Sequence, residues 1–500
     1  MMNTTPGGVR YESVESDYLE KRRLRKSAGW VLLWALGVGA VISGDYFGWN
    51  FGLAVGGFWG LAAATLVMAV MYVCMVFTIA ELSAALPHAG GFFSFTRNAL
   101  GPSGGYVCGL TDAIEYVLTP AVIVVGIGGY MNKLVFGSAE AAPPGAAFIW
   151  WLLAYAIFVG INILGVELTL RIGLVITALA AAVLIVFFVG AVGTGEFRVD
   201  KLFNIKAAPG HSARGLPFGA YGVFAALPYA IWFFLAIEQL PLAAEESHDA
   251  VRDMPKALIL GIFTLLILSL LTLVLNSGVG GGAAAIGRSE APLADAFQAV
   301  FPAGATSRVL TLVALTGLVA SFHTIIYAYG RVLFALSRAG YIPRWISLTG
   351  ARQTPYLALV LGAVIGFLCA GLIEFTKDVD GKNSLVGAAL LNMAVFGAVI
   401  SYFLVMVSFI RLRRNRPDLH RPYRSPLGVP GAALGAALAL VALAATFMVP
   451  DYRPAVTGVA AFLAAGIVYF LAYSRHRLVA HAPEEENALI AEAEQELAHR

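Results

Sequence analysis

Carboxylates sit where apolar helices should not tolerate them. Ile42-Ser43-Gly44-Asp45-Tyr46-Phe47-Gly48 interrupts the apolar run from Trp30 to Trp59. In a second run Glu115 follows Asp112 by three residues, so the two share a helical face, and Tyr116 adjoins them. In a third, Trp232-Phe233-Phe234-Leu235-Ala236-Ile237 leads to Glu238. An ionised group at membrane depth is costly unless it is paired or hydrated, and such residues often bind ions or relay protons.

Gly, Ser and Asp in succession break a helix. Free amides at a helix N-terminus favour an anion. Asp45 among them reverses the field, repelling a carboxylate and attracting an ammonium. At about 4 Å and an effective dielectric near 20, that pair gains ~4 kcal/mol before desolvation. The pattern predicts a ligand with an amine and no carboxylate. The structural reading is that Asp45 caps the following half-helix; both can hold together. An aromatic face at Trp232 or Phe233 adds ~0.5–2 kcal/mol of cation–π attraction, although aromatic residues also serve as bundle filling.

The remaining polar groups leave alternatives open. Asp112 and Glu115 together tend to keep one proton, which suits proton coupling or cation binding; otherwise Asp112 is simply hydrated at a helix end. Glu238 either couples protons or holds the break by hydrogen bonding. A fourth run carries Ser321, His323, Thr324 and Tyr327. His323 is either a hydrogen-bonded structural group or an intramembrane ionisable one. The hydroxyls of Ser321 and Thr324 could ligate sodium with carbonyls of the first break. The coupling ion is therefore H+ or Na+, or exchange runs without one.

The elements that position these groups are membrane spans. The 500 residues are 59% hydrophobic and 13% charged, and about twelve stretches are long and apolar enough to cross a bilayer. The expected organisation is an all-α polytopic protein: segment 1–28, a core over 29–410, two peripheral spans over 427–474 and a tail over 475–500. The first and second expected spans meet between 57 and 59. The long external segments are 195–216 and 277–307, and the latter, Gly-rich at Gly278–Gly282, is a lid or a tolerated loop. With both termini in the cytoplasm, 23 of the 33 Lys and Arg fall on that side, as the positive-inside rule asks of an inner (plasma) membrane protein. The run Lys21-Arg22-Arg23-Leu24-Arg25-Lys26 reads as a topology anchor, with no nucleic-acid partner. The acidic tail from Glu484 reads as a small solvated helix. Cys74, Cys108 and Cys369 fall inside spans and form no disulfide framework. No His-x-x-x-His or Cys-x-x-Cys occurs, so no metal or cofactor is expected, and a polytopic membrane enzyme lacks its nucleophile–base pair.

The first and sixth spans are the interrupted ones. Discontinuous helices in corresponding places point to inverted repeats with a substrate site between them. Ala80-Glu81-Leu82-Ser83-Ala84-Ala85-Leu86-Pro87-His88-Ala89-Gly90-Gly91 resembles the second-span exit of the amino acid–polyamine–organocation (APC) superfamily. Glu245-Glu246 with Arg252-Asp253-Met254-Pro255-Lys256 resembles its sixth-span exit, and Arg331 to Pro343 its eighth. Within that superfamily, Ser43 to Asn50 and Ile231 to Glu238 look most like ethanolamine permeases. The resemblance implies a LeuT-type five-plus-five inverted-repeat core, approximately 29–194 and 217–410, and import by alternating access. It also implies an aromatic gate at Trp232. Amino acid members usually read Gly-Ser-Gly where Ser43, Gly44 and Asp45 stand, and the usual Gly before the span-six acid is replaced by Ala236 and Ile237.

The expected substrate lining is Ser43, Gly44, Asp45, Tyr116, Trp232, Phe233, Ala236 and Tyr327. Glu115, Glu238, Ser321, His323 and Thr324 are the expected coupling or gating residues. The expected function is a permease for a small amine, ethanolamine first, with an amino acid or polyamine carrier as the alternative.

Overall fold

In hydrocarbon a long apolar segment has one stable local form, a helix that keeps its backbone hydrogen bonds to itself. The structure, a computed structural model, describes residues 8–137, 141–302, 307–376, 385–448 and 453–498. Among these, eleven helices are long and apolar enough to cross a membrane, and the shorter apolar stretch Trp30–Tyr46 stands beside them. The described residues form no β-strand, only isolated bridges pairing Tyr11 with Leu478 and Ala28 with Ser247.

The first span is divided. α1 (Trp30–Val41) and the single turn α2 (Ser43–Tyr46) lead to extended Phe47, and helix resumes in α3 (Phe51–Ala85). α3 is two helices end to end, because Gly57 turns the chain at φ 68°. L side chains rarely adopt that conformation, and a Cβ there would strike Pro217. Residues before Gly57 complete the first span and those after it form the second, as expected. α4 (Phe92–Phe136) bends likewise at Gly101, so a short helix precedes the third span.

α5 (Ala146–Leu164) and α6 (Val166–Gly193) follow, then α7 (Gly219–Ala230), which opens the second divided span. A 3-10 turn at Ile231–Phe233 and a 3-10 segment at Ile237–Glu246 complete it. α8 (Ala250–Leu271) continues into a π-helical turn, Thr272–Asn276. The segment expected as lid or loop holds α9 (Gly282–Ile286) and α10 (Pro292–Val300); residues 303–306 of it lie outside the described residues. α11 (Ser307–Arg338), α12 (Tyr356–Phe375) and α13 (Leu385–Asn415) finish the part that surrounds the breaks. α14 (Gly428–Met448) packs on α13 and α3, and α15 (Arg453–Ala472) on α13 and α4.

Close helix approach relies on small residues, as it does in bilayers generally. Gly362 lies under the Tyr329 ring and Gly435 against Met406. The outer surface is apolar: Val175, Leu179, Val186 and Val189 of α6 are all exposed. A contiguous surface of that kind needs hydrocarbon rather than water. This is a multi-pass membrane protein.

Both ends of the described chain meet on one face of the bundle. There the tail forms α16 (Pro483–Ala498), but its first turn is not solvated. Glu484 and Glu485 are buried, 2.6 Å from Arg338 and 2.7 Å from Arg97. The acidic pattern reads as a solvated face because nothing in it reveals the arginines that the fold brings opposite.

Candidate substrate site between two broken spans

The two breaks touch through their backbones. Gly44 lies against the Trp232 carbonyl so closely that a Cβ would collide with it. Downstream, Ala236 adopts a left-handed conformation at φ 83°, which costs an L residue ~1–2 kcal/mol. The Glu238 carboxylate supports that turn by accepting the Ala236 N–H at 2.9 Å. It also accepts from the Tyr402 hydroxyl, which in turn receives a hydrogen bond of 3.0 Å from Tyr72. Glu238 therefore makes the hydrogen bonds of a break-holding residue.

A tight cavity of about 10 Å³, room for one water, lies between the breaks, lined by Ala40, Val41, Ser43, Gly44, Glu115, Tyr116, Thr119, Trp232, Leu235, Ala236 and Ile325. Five of the eight residues expected in the substrate lining are there: Ser43, Gly44, Tyr116, Trp232 and Ala236. Glu115, expected in coupling or gating, is the carboxylate in this wall. It is buried and neither oxygen has a protein hydrogen-bond partner. It lies against Glu238. One cation, a proton or an ammonium, placed between the two would satisfy both.

Asp45 is elsewhere. It is fully buried and absent from the cavity wall. The Phe233 ring stacks on Trp49 at 5.2 Å. The Tyr327 hydroxyl donates to Glu246, which is 2.7 Å from buried Arg331. Ser321 spends its hydroxyl on the breaks, donating to the Gly39 carbonyl at 3.1 Å and accepting from the Ser43 N–H at 3.2 Å. Thr324 donates to the Ala320 carbonyl at 2.9 Å. His323 contacts the Thr169 carbonyl of α6 at 2.8 Å and packs on Phe158 of α5. Ser321 and Thr324 thus hold backbone, and His323 faces other helices.

Thr119 and Ile325 escaped the sequence reading. Thr119 is four residues after Glu115 and donates to its carbonyl at 2.6 Å, so i, i+4 spacing could have found it. Ile325 carries no such signal.

The cavity is closed unequally on its two sides. Phe47, in the wall of an outer recess of about 210 Å³, has its ring centroid 6.3 Å from that of Trp232 in the cavity wall. That recess is lined by residues including Phe47, Tyr46, Tyr130 and Glu290. Toward the terminal face lie the Arg331–Glu246 pair and then the Glu245–Arg338–Glu484 cluster.

A broken-span cavity of this kind suits a carrier, and comparison with known proteins agrees. A family model described as amino acid permease matches residues 29–472. The chain belongs to the amino acid permease family, within the APC superfamily. An uncharacterized transporter of Rhizobium meliloti is 30% identical over 355 residues, 70% of this chain and 74% of its own. The branched-chain amino acid permease BcaP of Bacillus subtilis is 25% identical, covering 82% of this chain and 85% of its own. The methylthioribose transporter of the same organism is 24% identical, covering 70% and 73%. This permease is accordingly a transporter and not an enzyme.

Proposed function

We propose that this permease imports a small organic amine, ethanolamine being the best fit, by alternating access around the cavity between its breaks. The observation that carries the reading is Glu115, a buried carboxylate with free lone pairs in a wall that also holds Trp232 and has no cationic side chain. The ammonium would sit between Glu115 and the Trp232 ring. The Ser43–Gly44 break and the Thr119 hydroxyl would take the substrate hydroxyl. Asp45, first among the sequence candidates for the ammonium, gives that place to Glu115.

Proton coupling would run through Glu115 and Glu238, because the carboxyl pair can exchange a proton for the substrate's charge. The terminal face would be cytoplasmic in an inner membrane, as the distribution of Lys and Arg favours. The core would divide into repeats over 29–194 and 217–410. In this arrangement the Phe47–Trp232 contact is the outer gate, and the ion pairs toward the terminal face form the inner one.

The amino acid reading is favoured by the name of BcaP. A substrate carboxylate would then have to rely on backbone N–H groups near Glu115, whose charge opposes it. Radiolabelled ethanolamine uptake into proteoliposomes tests the choice, with alanine, lysine and putrescine as competitors. Uptake blocked by unlabelled ethanolamine but not by the amino acids, and reduced at least about tenfold in Glu115→Gln, is the expected result; tenfold corresponds to ~1.4 kcal/mol. Alanine or lysine uptake with none of ethanolamine would sink the amine reading and leave the carrier standing.

A further inference from the structure

Three arginines from distant parts of the chain line one recess of about 250 Å³ on the terminal face. It shares no residue with the central cavity or the outer recess. Arg25 precedes α1, Arg171 lies near the start of α6, and Arg352 stands between α11 and α12; Leu164, Glu167 and Leu168 share the wall. Backbone ties assemble this recess. Thr349 donates to the Lys21 carbonyl from its N–H at 3.0 Å and from its hydroxyl at 2.9 Å, which seats the N-terminal segment beside the loop that carries Arg352. The Thr354 hydroxyl donates to the Ile163 carbonyl at 2.9 Å, which seats the same loop against the end of α5. Between these ties Gln353 takes a left-handed conformation at φ 56°, which a non-glycine residue keeps only where its surroundings hold it.

Charge in the recess is unbalanced. Arg171 is 2.6 Å from Glu167, four residues before it, and both are open to solvent. Among the described residues, the side chains of Arg25 and Arg352 have neither a hydrogen bond nor an ion pair with the protein. Three guanidinium groups therefore meet one carboxylate. Guanidinium matches the geometry of phosphate, which it can bind through two parallel hydrogen bonds. The same wall continues onto the membrane surface. Leu164 and Leu168 are exposed, and Leu168, Arg171, Val175 and Leu179 follow one another at helical spacing along the apolar outer face of α6. Apolar side chains beside a cluster of cations fit the two parts of a phospholipid, the acyl chains and the headgroup phosphate. Basic recesses between spans recognise anionic headgroups in this way.

We propose that Arg25, Arg171 and Arg352 bind the headgroup of an anionic phospholipid. A zwitterionic headgroup brings its own cation and leaves the excess charge of the arginines unmatched. The bound lipid would tie the segment leading into α1 to the start of α6, against which α1 packs. The first half of the broken span would thereby respond to the composition of the lipid around it.

The site is tested on the full chain in neutral detergent with no amine present, so its outcome is independent of the substrate reading. Fluorescent phosphatidylglycerol is titrated onto the protein at constant ionic strength. Unlabelled phosphatidylglycerol, phosphatidylcholine and inorganic phosphate, each at the same concentration, are the competitors. Saturable binding displaced only by phosphatidylglycerol is expected in the wild type, weakened at least about tenfold when Arg25→Gln and Arg352→Gln are combined. Arg414→Gln combined with Arg424→Gln removes the same charge outside the recess and should leave binding unchanged. All four side chains are exposed, so these variants should fold. Wild-type protein without saturable binding, or unchanged binding in the first double variant, would overturn the proposal. Equal loss in both double variants would overturn it in favour of diffuse surface charge. Displacement by phosphatidylcholine would do so in favour of apolar contact alone, and displacement by inorganic phosphate in favour of a soluble anion.

Discussion

Glu485 in the tail and Arg97 at the start of α4 lie 2.7 Å apart, both buried, joining positions 388 residues apart in the chain. The Tyr341 hydroxyl donates to the same carboxylate at 2.7 Å, and Tyr11 does so at 2.9 Å. The tail thereby ties the N-terminal segment, α4 and the exit of α11 together on one face.

Removing one partner of a buried pair strands the other. Glu485→Gln or Arg97→Gln should destabilise tail docking by ~3–5 kcal/mol. Replacing both with apolar residues should cost less than the sum. Hydrogen exchange over Pro483–Ala498 is the readout, and protection unchanged in both single variants would contradict it.

Tail docking should weaken in acid. Burial pushes the imidazole of His88 from 6.5 down to about 4, against the pull of Glu245. The ring meets the Asn487 amide of the tail at 2.8 Å. A depressed value means that docking is fully favoured above about pH 6.5 and is lost as pH falls toward 4. Allowing for partial exposure of the ring, the loss is on the order of 1–2 kcal/mol. Tail exchange measured across that range should accelerate, and His88→Gln should flatten the profile.

Gly44→Ala places a methyl group against the Trp232 carbonyl. Overpacking of this kind costs ~1–3 kcal/mol, and here it would separate the two breaks. Substrate uptake should fall at least about tenfold while the protein still inserts and folds, as judged by its elution in detergent. Normal uptake would show that the contact yields easily.

Trp232 has two roles to lose, the cation–π face and the contact with Phe47. Trp232→Ala should raise KM roughly two- to thirtyfold, the equivalent of ~0.5–2 kcal/mol, and should hasten release of bound substrate. Trp232→Phe should keep most of both. Equal KM values for the two variants would place the ring outside recognition.

The two breaks that frame the candidate cavity are legible because their signals are local. Ser43-Gly44-Asp45 is improbable inside a span unless the span is broken, and the aromatic approach to Glu238 marks its partner. What local sequence leaves open is direction. A helix break offers side chains several exits, and local sequence alone does not choose among them. Asp45 turns to Thr272 on α8's π-turn, while Glu115 from another helix takes the cavity wall.

The sequence by itself determined the spans, the two breaks and the all-α class, because bilayer thickness and backbone hydrogen bonding leave an apolar chain little choice. Only the tertiary structure decided which carboxylate faces the cavity, which hydroxyls are already committed to backbone, and that the tail closes onto Arg97 and Arg338. Those outcomes depend on contacts between residues far apart in the chain. Their energies come from mutual burial and pairing, which exist only once the helices have packed.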